Sequence, residues 1–234
     1  MNKNLEEIVK TYSTKAHCDF TNALQGYSKD SIISLFSDLL TLYINDKNSS
    51  TIREFITVSL AGYKHSIEKI GFNGFKQDSI GKAINCEAKP KNFSTQDFLD
   101  YKNKIKKTRP SNLDGGGNFT DYTWARFKKD KNTALNMLMS GFVDGQLIYI
   151  LEVPFNENAF LDNLEKQLER KFPKGDEKNN YLKNAHFNFS HYKGSAKLKI
   201  IFVLSQEQLV KFKDYIKKDL YEYLFKAAIK NENN

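Results

Sequence analysis

Three residues raise the first question of chemistry. In QDSIGKAINCEAKPKN, residues 77–92, Asp78 is followed nine positions later by Glu87-Ala88-Lys89. Cutting a phosphodiester with a metal needs oxygen ligands that hold Mg²⁺ beside the scissile phosphate. It also gains from a cation near the attacking water. Residues i and i+2 of a strand point to one side, so Glu87 and Lys89 project together, with Asn85 beside them. The Ala88 carbonyl is a further oxygen that a metal there could use. A turn at Gly81 is expected to carry the Asp78 carboxylate back towards Glu87. The competing expectation is a surface strand whose charges face water.

Asp144 and Glu152 form a second acid pair with similar spacing around LIYIL. Val153-Pro154 follows Glu152, so no lysine stands two residues on. Asp144-Gly145 is a hairpin-turn signal, and the pair reads as structural. His17, His65, His186 and His191 have no zinc spacing and no nucleophile partner; HFNFSHYKG reads as an aromatic strand and a basic turn. There is no P-loop, no dinucleotide-binding fingerprint and no GxSxG, so no nucleotide cofactor is expected.

A second unusual stretch, LDGGGNFTDYTWARFKK, covers residues 113–129 and follows the basic KNKIKKTR at 102–109. Consecutive glycines can bring backbone N–H groups close to a phosphate or a base edge, which makes Gly116 a candidate contact. Lys104 and Lys106 are candidates for phosphate. Asn118 and Arg126 are candidates for base readout, since amides pair with adenine and guanidinium with guanine. Asp121 is placed to cap the helix that carries Arg126, and Trp124 reads as core or interface. The chain has 234 residues and 36 Lys and Arg against 28 Asp and Glu, a formal charge of +8. That excess favours a polyanion partner, nucleic acid before an anionic membrane. Cys18 and Cys86 make no disulfide framework. With no signal-peptide or membrane-span pattern, a cytoplasmic protein without a membrane partner is expected.

The elements that must position these residues follow from periodicity. Helices are expected over 29–45, capped by Ser28, and from a capping box at Thr51–Glu54 onward through Ile67 and Ile70 to Gly71. Residues 82–89 alternate as a strand that Pro90 ends or marks as an edge. Thr95–Lys107 and 122–129 read as helices, 109–121 as a breaker cluster. LNMLMSGFV and QLIYILEV read as a strand pair, 157–172 as a helix, 185–189 and 197–204 as strands, and 206–230 as a last helix. The fold class is α/β (α+β), a mixed β-sheet flanked by helices. One domain, 1–234, divides into a helical part (1–71), a mixed-sheet core (72–204) and a C-terminal helix (205–230).

Asp78 … Glu87-Ala88-Lys89 resembles the PD-(D/E)xK motif of the restriction-endonuclease-like nucleases, and the helix-then-strands order over roughly residues 50–155 resembles their core. The resemblance implies Asp78 and Glu87 as metal ligands, beside the Ala88 carbonyl expected from the strand, and Lys89 as the lysine that orients or activates water. Either Glu54 or Glu68 would supply the further acid that the family often carries on the preceding helix. Gln77 stands where the motif has proline. The implied activity is Mg²⁺-dependent cleavage of double-stranded DNA by a type II restriction endonuclease, a homodimer suited to palindromic sites. The alternative is a non-catalytic nucleic-acid-binding protein with a nuclease-like fold.

Overall fold

The computed structural model describes residues 10–11, 13–14, 26–44, 50–66, 71–176 and 180–232. Glu68, and the Ile67 and Ile70 expected on a helix, lie outside them. Helix α1 spans Lys29–Ile44 and α2 Thr51–Leu60. Ser28 caps α1 by accepting from Ser31 N, as its side chain predicts. The capping box at Thr51 does not form: Ser50 takes the N-cap position without a side-chain bond. Helix α2 also ends eleven residues before Gly71. Gly62, at φ +77°, lets Tyr63 N reach Val58 O and Gly62 N reach Ser59 O, which closes the helix in a Schellman motif.

Strands β1 (Lys64–His65), β2 (Gly74–Gln77) and β3 (Ala83–Phe93) then form an antiparallel meander. Helix α3 (Thr95–Lys102), strand β4 (Gly117–Tyr122) and helix α4 (Trp124–Lys131) lead to β5 (Leu135–Val143), which returns parallel to β3. Next come β6 (Gln146–Pro154), α5 (Asn158–Lys171), β7 (Leu182–Phe187), β8 (Lys199–Val203), α6 (Gln206–Val210) and α7 (Lys218–Glu232). The main sheet has six strands in the order β1-β2-β3-β5-β6-β8, and β4 pairs with β7 as a separate two-stranded ribbon. This is the mixed sheet with flanking helices that the element pattern implies. No helix among the described residues is long and apolar enough to cross a membrane.

Several expectations are corrected. Strand β3 runs through Pro90. Odd-numbered residues of β3 bond to β5, as Asn85 N does to Ala134 O, whereas Ala88 N points away, to Asn73. Pro90 shares the parity of Ala88, and β2 has already ended opposite Cys86, so its missing N–H breaks no ladder bond. Helix α3 stops at Lys102, and 103–108 is a chain of turns and bends. The breaker cluster conceals β4, and the turn-rich GFNGFKQ conceals β2. The C-terminal helix is broken at Lys211–Lys217, where a 3₁₀ turn intervenes.

Two cores lie against the sheet. On one face α1 and α2 cover Cys86, Ala88, Leu138, Leu147 and Ile150. On the other, the β4–β7 ribbon and helices α4, α5 and α7 cover Met137, Met139, Leu151 and Val153. Strands β5 and β6 are buried on both faces, which explains why their sequences are continuously apolar rather than alternating. The Asp144-Gly145 turn joins them with positive φ at both residues, +48° and +84°, as a two-residue hairpin requires.

Candidate active site

Glu87, Lys89 and Lys91 form a row on the face of β3 that looks towards the ribbon, as their spacing dictates. Lys89 Nζ donates to Glu87 Oε1 at 2.7 Å. Arg126 of α4 brings Nη2 within 3.6 Å of the same oxygen, and its Nε lies 3.6 Å from Asp130 Oδ2 one helical turn on. Arg126 Nη1 also donates to the Thr120 carbonyl at 3.2 Å. The Phe119 ring lies beneath both cations, 4.8 Å from Lys89 Nζ and 5.5 Å from the Arg126 guanidinium carbon. Gly117 walls the lysine stem: a Cβ there would sit 2.8 Å from Lys89 Cβ. Two carboxylates and two cations therefore share one patch. Glu87 is nearly covered at 8% exposure, while the Arg126 side chain keeps 37%.

Burial pushes the Asp130 carboxyl up to about 6; the nearby charge of Glu87 adds to the rise, and Arg126 opposes it. Tyr122 sits beside it, with its hydroxyl 3.4 Å from Asp130 Oδ2. Further along the row, Lys91 Nζ donates to Asp114 Oδ1 at 2.7 Å, and Gly116 N donates to the same oxygen. Behind Glu87, Asn73 links two elements. Its Oδ1 accepts from Ala88 N at 2.8 Å, and its Nδ2 donates to Glu54 Oε2 at 3.2 Å. Glu54 is thus tied to β3 through Asn73. The Ala88 carbonyl lies on the same edge of the strand as its N–H, away from β5.

Asp78 is not brought to Glu87. It sits at the tip of the β2–β3 hairpin, where its Oδ1 accepts from Ile80 N and Lys82 N and organises the turn. Because the strands are antiparallel, Asp78 faces Lys82, and five residues of extended chain, roughly 16 Å, separate that level from Glu87. The register carried one residue past Gly74–Cys86 places Asn73 opposite Glu87 instead. A hairpin does return the chain, but it folds about its own tip and leaves the acid there.

The rival pair is not assembled either. The Asp144 carboxylate accepts from Thr95 N and the Thr95 hydroxyl, beside the start of α3. Glu152 is buried on the opposite face of the sheet. Its Oε1 accepts from the Tyr63 hydroxyl, from Lys76 Nζ at 3.0 Å and from Asn136 Nδ2 at 2.7 Å. Burial alone would raise the Glu152 carboxyl, but these bonds outweigh it and hold the group below its ordinary value.

The nucleic-acid candidates divide. Lys104, at φ +60°, and Lys106 are exposed in the turns after α3, with Lys106 Nζ bonded to Asp97 at 2.6 Å. Gly116 is buried and presents no backbone to a ligand: a Cβ there would collide with the Phe187 carbonyl, so the glycine is needed for close packing on β7. Asn118 is exposed, with Oδ1 2.9 Å from His186 Nδ1. Asp121 does not cap α4. Thr123 does, accepting from Arg126 N, and Asp176 accepts from Trp124 N and Ala125 N. Sequence reading missed Asp130, although its i+4 spacing from Arg126 was a usable signal, and Asn73 and Asp114, which had none.

Among the described residues no group of three or more His, Cys, Asp or Glu side chains is placed to hold a metal ion. Compared with protein-family models and with curated proteins, the chain matches none of either.

Proposed function

We propose that the chain is a Mg²⁺-dependent endonuclease of double-stranded DNA, of the type II restriction enzyme kind, with Glu87 and Lys89 at its centre. The observation that carries this reading is the 2.7 Å Glu87–Lys89 pair on an inner strand of the sheet, with Arg126 against the same carboxylate. The order α2, β1, β2, β3 around that pair agrees with the nuclease resemblance. So does the charge of +8.

The donor set suits Mg²⁺, which is commonly held by one or two carboxylates completed by waters and substrate phosphate oxygens. Glu87 would hold it, with the Ala88 carbonyl as a backbone oxygen and Asp130 as the second acid facing the patch. Bound there, the ion would polarise the phosphate and supply a more acidic water. The protein's own groups do the positioning. Glu87 and the Phe119 ring keep the Lys89 ammonium at the surface of the patch, where it can hold the attacking water. Arg126 offers a planar set of donors to a phosphate, and Asp130 and Thr120 fix its orientation. A homodimer would present two such sites to a palindrome.

The second reading, nucleic-acid binding without cleavage, is favoured by one observation. The position opposite Glu87 is an amide, Asn73, and Asp78 lies at the hairpin tip. Incubation with mixed-sequence supercoiled plasmid and Mg²⁺ separates the two. Discrete linear fragments, lost in Glu87→Ala and Lys89→Ala proteins that remain folded, are expected for the nuclease. Salt-dependent plasmid binding with no cut in any divalent cation would select the second reading.

A further inference from the structure

We infer that the outward face of the β4–β7 ribbon is the surface that reads DNA sequence, through Asn118, Thr120, Asn184 and His186. The inference rests on the proposed action on DNA and names the part of the molecule that recognises the substrate.

The ribbon has two different faces. Phe119, Ala185 and Phe187 point inward and are fully buried in the core, and Phe119 is the floor under Lys89 and Arg126. The register pairs Asn118 with His186 and Thr120 with Asn184, so all four of these side chains share the outward face, and all four are exposed. That face is polar and uncharged, and it carries amides, a hydroxyl and an imidazole. These groups discriminate hydrogen-bonding edges rather than simply attracting phosphate. A two-stranded ribbon also has a width that the major groove admits.

The ribbon is held rigidly, and its free edge is already used. His186 N donates to Gln167 Oε1 at 2.8 Å, and the His186 carbonyl accepts from Gln167 Nε2 at 2.7 Å and Asn163 Nδ2 at 2.8 Å. Side chains of α5 thus take the place of a third strand at this position. Addition of a peptide strand is blocked there, and a partner meets side chains rather than backbone.

The central pair has a specific pattern. With His186 Nδ1 donating to Asn118 Oδ1, the Asn118 amide nitrogen remains a donor and His186 Nε2 an acceptor. Among the described residues neither atom has another hydrogen-bond partner. One donor beside one acceptor complements N7 and N6 of adenine in the major groove. In β4 Asn118 is flanked by Gly117 and Phe119, which meet Lys89 from the inward face of the ribbon. The reading face and the proposed cutting centre thus lie on opposite faces of the same two strands.

The test is selection from a random-sequence duplex library with Ca²⁺ in place of Mg²⁺. The parent and the Asn118→Ala, His186→Ala, Asn184→Ala and Thr120→Val proteins are compared, with circular dichroism on each. The parent is expected to enrich a sequence containing adenine, and Asn118→Ala and His186→Ala to relax the same base position by roughly 5- to 150-fold. Should either of these fail to fold, Asn184→Ala and Thr120→Val, which carry the outer part of the same face, must relax a neighbouring position. A parent that binds no duplex overturns the DNA reading itself. A parent that enriches a sequence which all folded variants enrich with unchanged base ratios overturns the ribbon and leaves the DNA reading standing. A parent that binds duplex without any preference does the same.

Discussion

Asp78 and Glu87 are acids on the same hairpin with different surroundings, and substitution should separate them. Asp78 accepts two turn N–H groups in an exposed site. Asp78→Ala is expected to keep plasmid cleavage and to cost about 1 kcal/mol of stability by urea unfolding, the typical worth of exposed turn bonds. Abolished cleavage with an unchanged urea midpoint would return Asp78 to the site. Asp130 is testable through pH. Its carboxyl titrates at about 6 in the fold against an ordinary value of 3.8. The folded state therefore keeps the proton longer, and stability falls as pH rises from about 4 to about 6, then levels off. Asp130→Asn removes this contribution. Urea midpoints measured from pH 4 to 7 should fall less steeply across that window than in the parent; an identical slope would show that Asp130 is not perturbed.

At the scale of elements, the glycine tract acts by packing rather than by binding. Gly115 has φ +66°, Gly116 lies against the Phe187 carbonyl and Gly117 against Lys89. Gly116→Val must push β4 away from β7, and overpacking of this kind costs about 1–3 kcal/mol. The expected result is a lower urea midpoint accompanied by weaker DNA binding, because the ribbon carries Phe119 and the Lys89 wall. A variant as stable as the parent but unable to bind DNA would instead place Gly116 at a ligand. On the opposite face of the sheet, Tyr63, Lys76, Asn136 and Glu152 tie the end of α2 to β2, β5 and β6. That cluster fixes how the β1–β3 meander sits on the inner strands, and so it holds the Glu87 row from behind.

For the molecule as a whole, the charge of +8 should appear as salt-dependent binding. The two exposed lysines after α3 are not equivalent. Lys106 is already paired with Asp97, and the carboxylate raises its affinity for the proton, whereas no ion pair is formed by Lys104 among the described residues. Lys104→Ala should lower the slope of log affinity against log salt by about 1, and Lys106→Ala by less. Binding to one duplex at several salt concentrations measures both. An unchanged slope in Lys104→Ala would exclude the 103–108 turns from the interface.

Much of the architecture was legible in local pattern. The Asp-Gly hairpin, the continuous apolar β5 and β6, the amphipathic α5 and the alternation around Glu87 and Lys89 all depend on neighbours a few residues apart, and period and turn chemistry decide those contacts. Strand β4 was hidden because a short, glycine-rich segment pairs with distant chain, β7, and β2 because its four residues sit in a turn-rich stretch although they pair with the neighbouring β1 and β3. The Glu87–Lys89 pair needed only the i, i+2 geometry of a strand. Its companions were decided by tertiary structure alone: Arg126 and Asp130 arrive on a crossover helix and Asn73 from the far side of the hairpin. Asp78 was lost for the same reason. Linear spacing says that a chain turns back, but only the register, set by which side chains the two faces of the sheet bury, says which residue comes to lie opposite which.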